Sequence, residues 1–327
     1  MEKHPALDVT RALVTGGAGF IGSHVVDRLV SLGVPVVVYD DFSTGRREHL
    51  ARHEKNPAVQ VIVGDTRDRQ ALGVALAGCD AVFHFQANAD VRGGIADTRI
   101  DLEQNTLATW NVLDAMREHG ARLIVFASSA TVYGEPSVFP TPETYAPLQT
   151  SLYGASKLAC EALIQAHSEY FGIRSLCFRF VSWIGERYSH GVIFDFVKRL
   201  HADPHTLHIL GDGTQTKSYL DVTDGVEGIF MAVAGDTERK GVYNLGHDDS
   251  MAVTELARLV VEALGLRDVA LTFGGGPRGW VGDSPWVHLD TARMKRLGWS
   301  ARVPIADGVR RTVRYLLAHP EIVRGRR

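Results

Sequence analysis

Residues 12–32 constrain the chain more than any other segment. Ala12-Leu13-Val14-Thr15 reads as a strand, Gly16-Gly17-Ala18-Gly19-Phe20-Ile21-Gly22 follows at once, and Phe20 to Leu32 reads as a helix with apolar side chains at Ile21, Val25, Val26 and Leu29. Glycines at 16, 19 and 22 serve separate ends: a tight turn, a close approach of backbone to a pyrophosphate, and close packing of helix on strand. The first N–H groups of the helix have no partner within it and carry partial positive charge, which suits a phosphate. Asp40 closes the second apolar run, 24 residues after Gly16. A carboxylate there accepts hydrogen bonds from the adenosine ribose and repels a 2′-phosphate. The segment therefore predicts a bound dinucleotide, NAD in preference to NADP. Arg46 and Arg47 would suit NADP, or are solvated loop cations.

The alternation continues through the first half. Val34 to Tyr39, Val59 to Val63, Ala81 to Phe85, Leu123 to Ala127 and Ser175 to Arg179 read as strands. Leu102 to Met116 and Ser151 to Tyr170 read as helices, stopped by Gly120 and Gly172. Strands separated by helices form right-handed parallel units, so the fold class is α/β: a Rossmann-type doubly wound parallel sheet with a smaller C-terminal α/β substrate-binding lobe. After Phe180 the pattern breaks, leaving Tyr219 to Val222 and Val242 to Leu245 as strands and Val253 to Leu264 and Val309 to Leu317 as helices. The predicted division is a nucleotide-binding domain at 1–180, rejoined by 217–250, and a lobe from 181–216 and 251–327.

Composition removes several classes. Thirty-five Lys and Arg against 38 Asp and Glu give a net charge of −3, too balanced for bulk attraction to nucleic acid. No apolar run approaches the roughly 20 residues of a membrane span, and Met1-Glu2-Lys3-His4-Pro5 offers no signal peptide. Three cysteines, none in a Cys-x-x-Cys pair, fit a reducing cytoplasm. His201, His205 and His208 invite a metal, but Pro204 interrupts any common helix face, and no metal site is expected. Cys160 reads as a small buried hydrophobe, and the Arg324-Gly325-Arg326-Arg327 end as a frayed tail.

Chemistry concentrates in two further segments. Tyr153 and Lys157 stand four apart on one helix face. A nearby ammonium stabilises a phenolate, and a phenolate is a competent base toward a sugar hydroxyl. Ser129 ends the strand before Ala130-Thr131-Val132-Tyr133-Gly134, at the carboxyl end where open α/β sheets bind ligands. Asp65, after the third strand, either meets the adenine or caps the next helix.

Gly16-x-x-Gly19-x-x-Gly22, Ser128-Ser129-x-x-Val132-Tyr133-Gly134 and Tyr153-x-x-x-Lys157 together resemble the extended short-chain dehydrogenase/reductase family, its nucleotide-sugar epimerase/dehydratase group, with the 4-epimerases as nearest type. The likeness extends over Asp40-Asp41-Phe42-Ser43-Thr44-Gly45, Asn105, Gly211 to Thr214, Ser218 to Asp224, and Arg278 with Gly282-Asp283. It implies Tyr153 as base, Lys157 tuning it and holding the nicotinamide ribose, and Ser129 on the reacting hydroxyl. It implies an NAD site of Gly16, Gly19, Phe20, Ile21, Gly22, Asp40, Asp41, Ser43, Thr44, Gly45, Asp65, Thr66, Phe85, Ala87 and Asn105, besides Tyr153 and Lys157. Thr131 would line the sugar pocket. Ser182, Gly191, Val192, Lys217, Arg278 and Asp283 would also contact substrate, with Lys217 and Arg278 facing the diphosphate. The resemblance also implies a homodimer through helices 102–116 and 151–170.

The implied reaction is reversible oxidation at C4 of a UDP-hexose or UDP-hexuronate, ending in inversion. A dehydratase shares the first step but usually adds an acidic pair after the active Ser; here Ala130-Thr131 stand there, and Glu135 and Glu143 read as loop and turn residues. A non-catalytic dinucleotide sensor is a further alternative. Three departures from the family pattern are Ser182 for an Asn, Gln86 for a small residue and Lys217 for an Arg. Arg187, in the loop bordering the expected sugar site, either pairs with a uronate carboxylate or is an exposed cation.

Overall fold

The computed structural model describes residues 7–325. Seven apolar runs form strands: β1 (Ala12–Thr15), β2 (Val36–Asp40), β3 (Val59–Val63), β4 (Ala81–His84), β5 (Leu123–Ser129), β6 (Arg174–Phe180) and β7 (Lys240–Leu245). All pair in parallel, in the order 3-2-1-4-5-6-7. This is a Rossmann-type doubly wound sheet, and its order reverses between β1 and β4.

Both faces are apolar, because successive side chains of a strand point to opposite sides. Leu13, Val37, Val82 and Ile124 face one core with helices α2 (Arg69–Leu76), α3 (Ala108–His119) and α4 (Leu152–Phe171). Their neighbours Val14, Val38, Phe83 and Val125 face the other, with α1 (Phe20–Ser31) and α6 (Val222–Gly235). A π-helical turn, Leu102–Leu107, leads into α3. The Ser151 side chain caps α4, accepting from the Gly154 N–H, and left-handed Gly120 and Gly172 end α3 and α4.

The second lobe joins the α1 side of the core. Helices α5 (Val192–Ala202), α7 (Val253–Ala263) and α8 (Ile305–Ala318) pack there through Val197, Leu200, Val260 and Val313. Thr216–Lys217 lies between Met251–Ala252 and Trp286–Val287 in a separate small sheet, and Tyr219–Asp221 pairs with Ser182–Ile184. Lys217 thus lies outside the main sheet, and the chain returns to it only at β7.

Two of the longer helices, α5 and α6, are absent from the sequence reading. Val222 ends no strand but opens α6, and α6 is buried nearly all round, which thins the polar face that marks a helix. The other, α5, runs between Gly191 and Pro204 with an apolar face at Ile193, Phe196, Val197 and Leu200 that is legible in the sequence. Among the described residues no helix is long and apolar enough to cross a membrane. The first five residues, of the signal-peptide expectation, and the last two arginines of the expected frayed tail lie outside the described residues, whereas Arg324 of that tail closes a short helix, Pro320–Arg324.

Candidate active site

The glycine turn stands at the point of strand-order reversal. Gly16 adopts φ +67° and its N–H donates to the Tyr39 carbonyl across β2. A Cβ on Gly22 would stand 2.9 Å from the Gly16 carbonyl carbon and closer still to its oxygen. Helix α1 therefore rests on the turn with no room for a side chain. Gly19 caps α1 without a side-chain hydrogen bond, so the first N–H groups beside Phe20 and Ile21 face outward from the helix end.

Asp40 is buried, and its carboxylate accepts from the Ala18 N–H at 2.9 Å and the Phe42 N–H at 2.8 Å. Burial pushes its pKa upward against these two bonds. Asp41 accepts from the Ser43 N–H and hydroxyl, which shapes the loop through Thr44 and Gly45. Arg46 donates its N–H to the Ala18 carbonyl, and Arg47 lies over the Phe42 ring at 4.4 Å. A cradle only glycine fits, an uncapped helix end and a carboxylate at the end of β2 together fit a dinucleotide.

Asp65 does not cap α2. Asp68 does, accepting from the Ala71 N–H, while Asp65 is held by the Arg67 backbone and guanidinium. Thr66 is buried, with its carbonyl bound by Asn111. Phe85 and Ala87 follow β4, with the Phe85 N–H bonded to the Thr15 carbonyl. Buried Asn105 accepts from the Asn88 N–H at 2.8 Å and donates to Asp101 and to Ser156, tying the π-helical turn to α4.

Ser129 ends β5, and its hydroxyl accepts from the Thr131 N–H and, at 2.9 Å, from the Thr131 hydroxyl. The start of α4 presses on this turn: a side chain at Gly154 would stand 2.6 Å from the Thr131 carbonyl. Lys157 is 2% exposed, donates to the Ala127 carbonyl at 2.9 Å and lies 5.8 Å from the Tyr153 ring centroid. Burial pulls Lys157 down to about 8. The Tyr153 phenol is pushed up, by burial first and then by Asp101 and Cys160. Burial thus outweighs any depression of the phenol by Lys157, whose ammonium is bonded to the Ala127 carbonyl.

The cations expected at substrate have partners within the chain. Lys217 pairs with Asp283 at 2.6 Å, and Asp283 also accepts from the Gly279 N–H. Arg278 pairs with Glu135 at 2.6 Å on the surface. Arg187 is not an exposed loop cation: it is 7% exposed and bound to Asp27 of α1 at 2.6 Å. Glu143 stands in a turn, as expected, and its carboxylate also accepts from the Asn244 N–H on β7. Ser182 is exposed just beyond the carboxyl end of β6, and Gly191 at φ +97° opens α5 at Val192. Among the described residues no group of His, Cys, Asp or Glu is arranged to hold a metal ion.

Glu161, Arg179 and Asp27 went unnoticed in the sequence. The available signal was charge on a buried face: Glu161 falls eight residues after Tyr153, in line with Lys157.

The model of the NAD dependent epimerase/dehydratase family matches residues 12–246. A protein of Methanocaldococcus jannaschii named putative UDP-glucose 4-epimerase is 31% identical over 310 residues, 93% of this chain and 97% of that protein. Among solved structures, a UDP-galactose 4-epimerase matches at 38% identity and TM-score 0.85, over 94% of this chain and 99% of its own. The UDP-glucose 4-epimerase of Thermus thermophilus, solved in complex with NAD, matches at 31% identity and TM-score 0.84, over 94% and 99%. The glycine turn, the Ser129 turn and the Tyr153 helix all lie within the matched span, and the chain belongs to the NAD dependent epimerase/dehydratase family.

Proposed function

We propose that the chain is an NAD-dependent UDP-sugar 4-epimerase, inverting C4 of a UDP-hexose or UDP-hexuronate through a 4-keto sugar. The observation that carries this reading is the packing of the Tyr153–Lys157 helix end on the turn after Ser129. Gly16 to Gly22 and the α1 end would hold the pyrophosphate, Asp40 the adenosine ribose, and Lys157 the nicotinamide ribose. The chemistry supplied by bound NAD is reversible hydride exchange with C4. Ser129 orients the O4 hydroxyl, and Tyr153 accepts its proton and later gives it back. Thr131 lines the sugar side. Lys217, Asp283, Arg278, Ser182 and the Gly191–Val192 helix end serve the UDP side.

Epimerase is favoured over dehydratase by the acids near Ser129. Glu135 is paired with Arg278 and Glu143 is bonded to Asn244, so neither stands ready to remove water from the sugar. We also infer a cytoplasmic homodimer. Leu107, Trp110, Tyr170 and Phe171, on or beside α3 and α4, are 46–80% exposed, an apolar surface suited to a second copy.

The deciding experiment incubates the protein and NAD with UDP-glucose, UDP-glucuronate and UDP-N-acetylglucosamine, followed by mass and proton NMR. Unchanged mass with an inverted C4 coupling is expected. Loss of one water would overturn the reading in favour of dehydratase. Tyr153→Phe should lower turnover by about 10²–10⁴-fold, the range for a positioned general base.

A further inference from the structure

Behind Tyr153 and Lys157 lies a set of charged groups that this chemistry does not use. Glu161 is 2% exposed and Arg179 6%. Tyr153, Lys157 and Glu161 follow one another at four-residue steps along one face of α4. Glu161 Oε1 accepts from Ser128 Oγ at 2.5 Å and from Arg179 Nε at 3.0 Å; Oε2 accepts from Arg179 Nη2 at 2.7 Å. Ser128 and Arg179 are register partners on β5 and β6, and Asn244 is the partner of Arg179 on β7. Arg179 Nη1 donates to the Tyr133 hydroxyl, which donates to Asn244 Oδ1. One carboxylate on the helix thus grips side chains on two strands and is linked through Arg179 and Tyr133 to a third.

Stability does not account for an ion pair buried this deeply. Desolvating two charges costs about what their attraction returns, and packed apolar pairs commonly serve as well. What a two-pronged guanidinium–carboxylate pair adds is direction, since its geometry tolerates little slip. Slip here would run along α4. The helix has two anchors on β5: Lys157 on the Ala127 carbonyl and Glu161 on Ser128. Both lie directly before Ser129.

We propose that Glu161, gripped by Ser128 and Arg179, is a positioning residue: it sets the register of α4 on β5, and so the placement of Tyr153 and Lys157 against Ser129. The inference rests on the reading of Tyr153 as the base of a UDP-sugar 4-epimerase.

The test compares the full wild-type chain with Ser128→Ala and with the double variant Glu161→Met/Arg179→Met, which removes both charges together and strands neither. Each is loaded with NAD and measured for kcat and KM on UDP-galactose, for Tm, and for amide hydrogen exchange of residues 152–160. The double variant should keep Tm within a few degrees and KM within about threefold, while kcat falls about 10²-fold, as a displacement near 1 Å produces. Ser128→Ala should lose about tenfold in kcat. Residues 152–160 should exchange faster in both. A kcat within twofold of wild type in the folded double variant overturns the proposal, as does a change confined to KM. Should the double variant not fold, Ser128→Ala decides, because it keeps the ion pair. Should the wild type epimerise no UDP-sugar, the functional reading fails instead, and unchanged exchange at 152–160 in both variants then overturns the register proposal.

Discussion

Gly22→Ala separates two ways in which a glycine matters. Gly22 needs no left-handed backbone; its constraint is contact alone, with the Gly16 carbonyl carbon 2.9 Å from a new Cβ. Carbon atoms settle at about 3.5–4.0 Å, so the turn must retreat by roughly 0.6 Å or more. Overpacking of this kind costs about 1–3 kcal/mol, and the retreat is made by the backbone expected to meet the pyrophosphate. Gly120→Ala is the matched control. Gly120 sits at φ +76° at the end of α3 with nothing within 4 Å of a new Cβ, so its cost is backbone strain of about 1–2 kcal/mol. Thermal unfolding should rank the two variants close together, each a few degrees below wild type at about 2–4 °C per kcal/mol. Calorimetric titration with NAD should separate them: affinity falls at least about tenfold for Gly22→Ala and stays within twofold for Gly120→Ala. Equal NAD affinity in the two variants would refute the assignment of the turn.

Three histidines should govern acid stability. Burial lowers His24 and His49 to about 4 and His84 to about 3; the unfolded chain binds these protons near pH 6.5, so the stability is intact above that pH and lost as pH falls through it. Each extra proton bound by the unfolded chain is worth about 1.4 kcal/mol per pH unit, and urea midpoints between pH 7 and 5 should fall steeply; a flat profile contradicts burial as the cause. Asp27 accepts Arg187, Arg52 and His53, so Asp27→Asn, which strands Arg187, should cost about 3–5 kcal/mol. Arg187→Met should cost less and leave the ratio of UDP-glucuronate to UDP-glucose turnover unchanged, whereas a selective loss on the uronate would restore Arg187 to the sugar site. Trp110→Asp should shift the particle mass from dimer to monomer in sedimentation, and an unchanged mass would place the dimer contact elsewhere.

The fold was legible because both sheet faces are apolar. Strands such as Ala81–His84 read as unbroken apolar runs, and glycines such as Gly120 and Gly172 punctuate the helices. The misses share one physical origin. Helix α6 is buried nearly all round and carries only a thin polar stripe at Thr223 and Glu227, so periodicity marks it weakly. Arg187 looked like a loop cation because sequence cannot show that Asp27, 160 residues earlier, lies 2.6 Å away. Asp65 and Asp68 are equivalent helix-capping candidates by type, and only the backbone geometry selects Asp68.

The pairing of cations bears on how a chain of net charge −3 holds two anionic ligands. Lys217, Arg278 and Arg187 are each within 2.6 Å of a carboxylate. None is a bare charge waiting for phosphate; under the proposed roles a diphosphate would share Lys217 with Asp283 or displace Glu135 from Arg278. What stands ready is neutral: the uncapped N–H groups of α1 and, at Gly191, those of α5. Such dipoles are fixed by the helix itself, so they need no rotamer search and leave no charge unpaired when the ligand departs. At the reacting end burial acts on both groups, pushing the Tyr153 phenol up and drawing Lys157 down to about 8. A phenol so raised serves as a base only where positive charge beside it stabilises the phenolate, so the proposed base depends on the charge that Lys157 and a bound ligand bring to it.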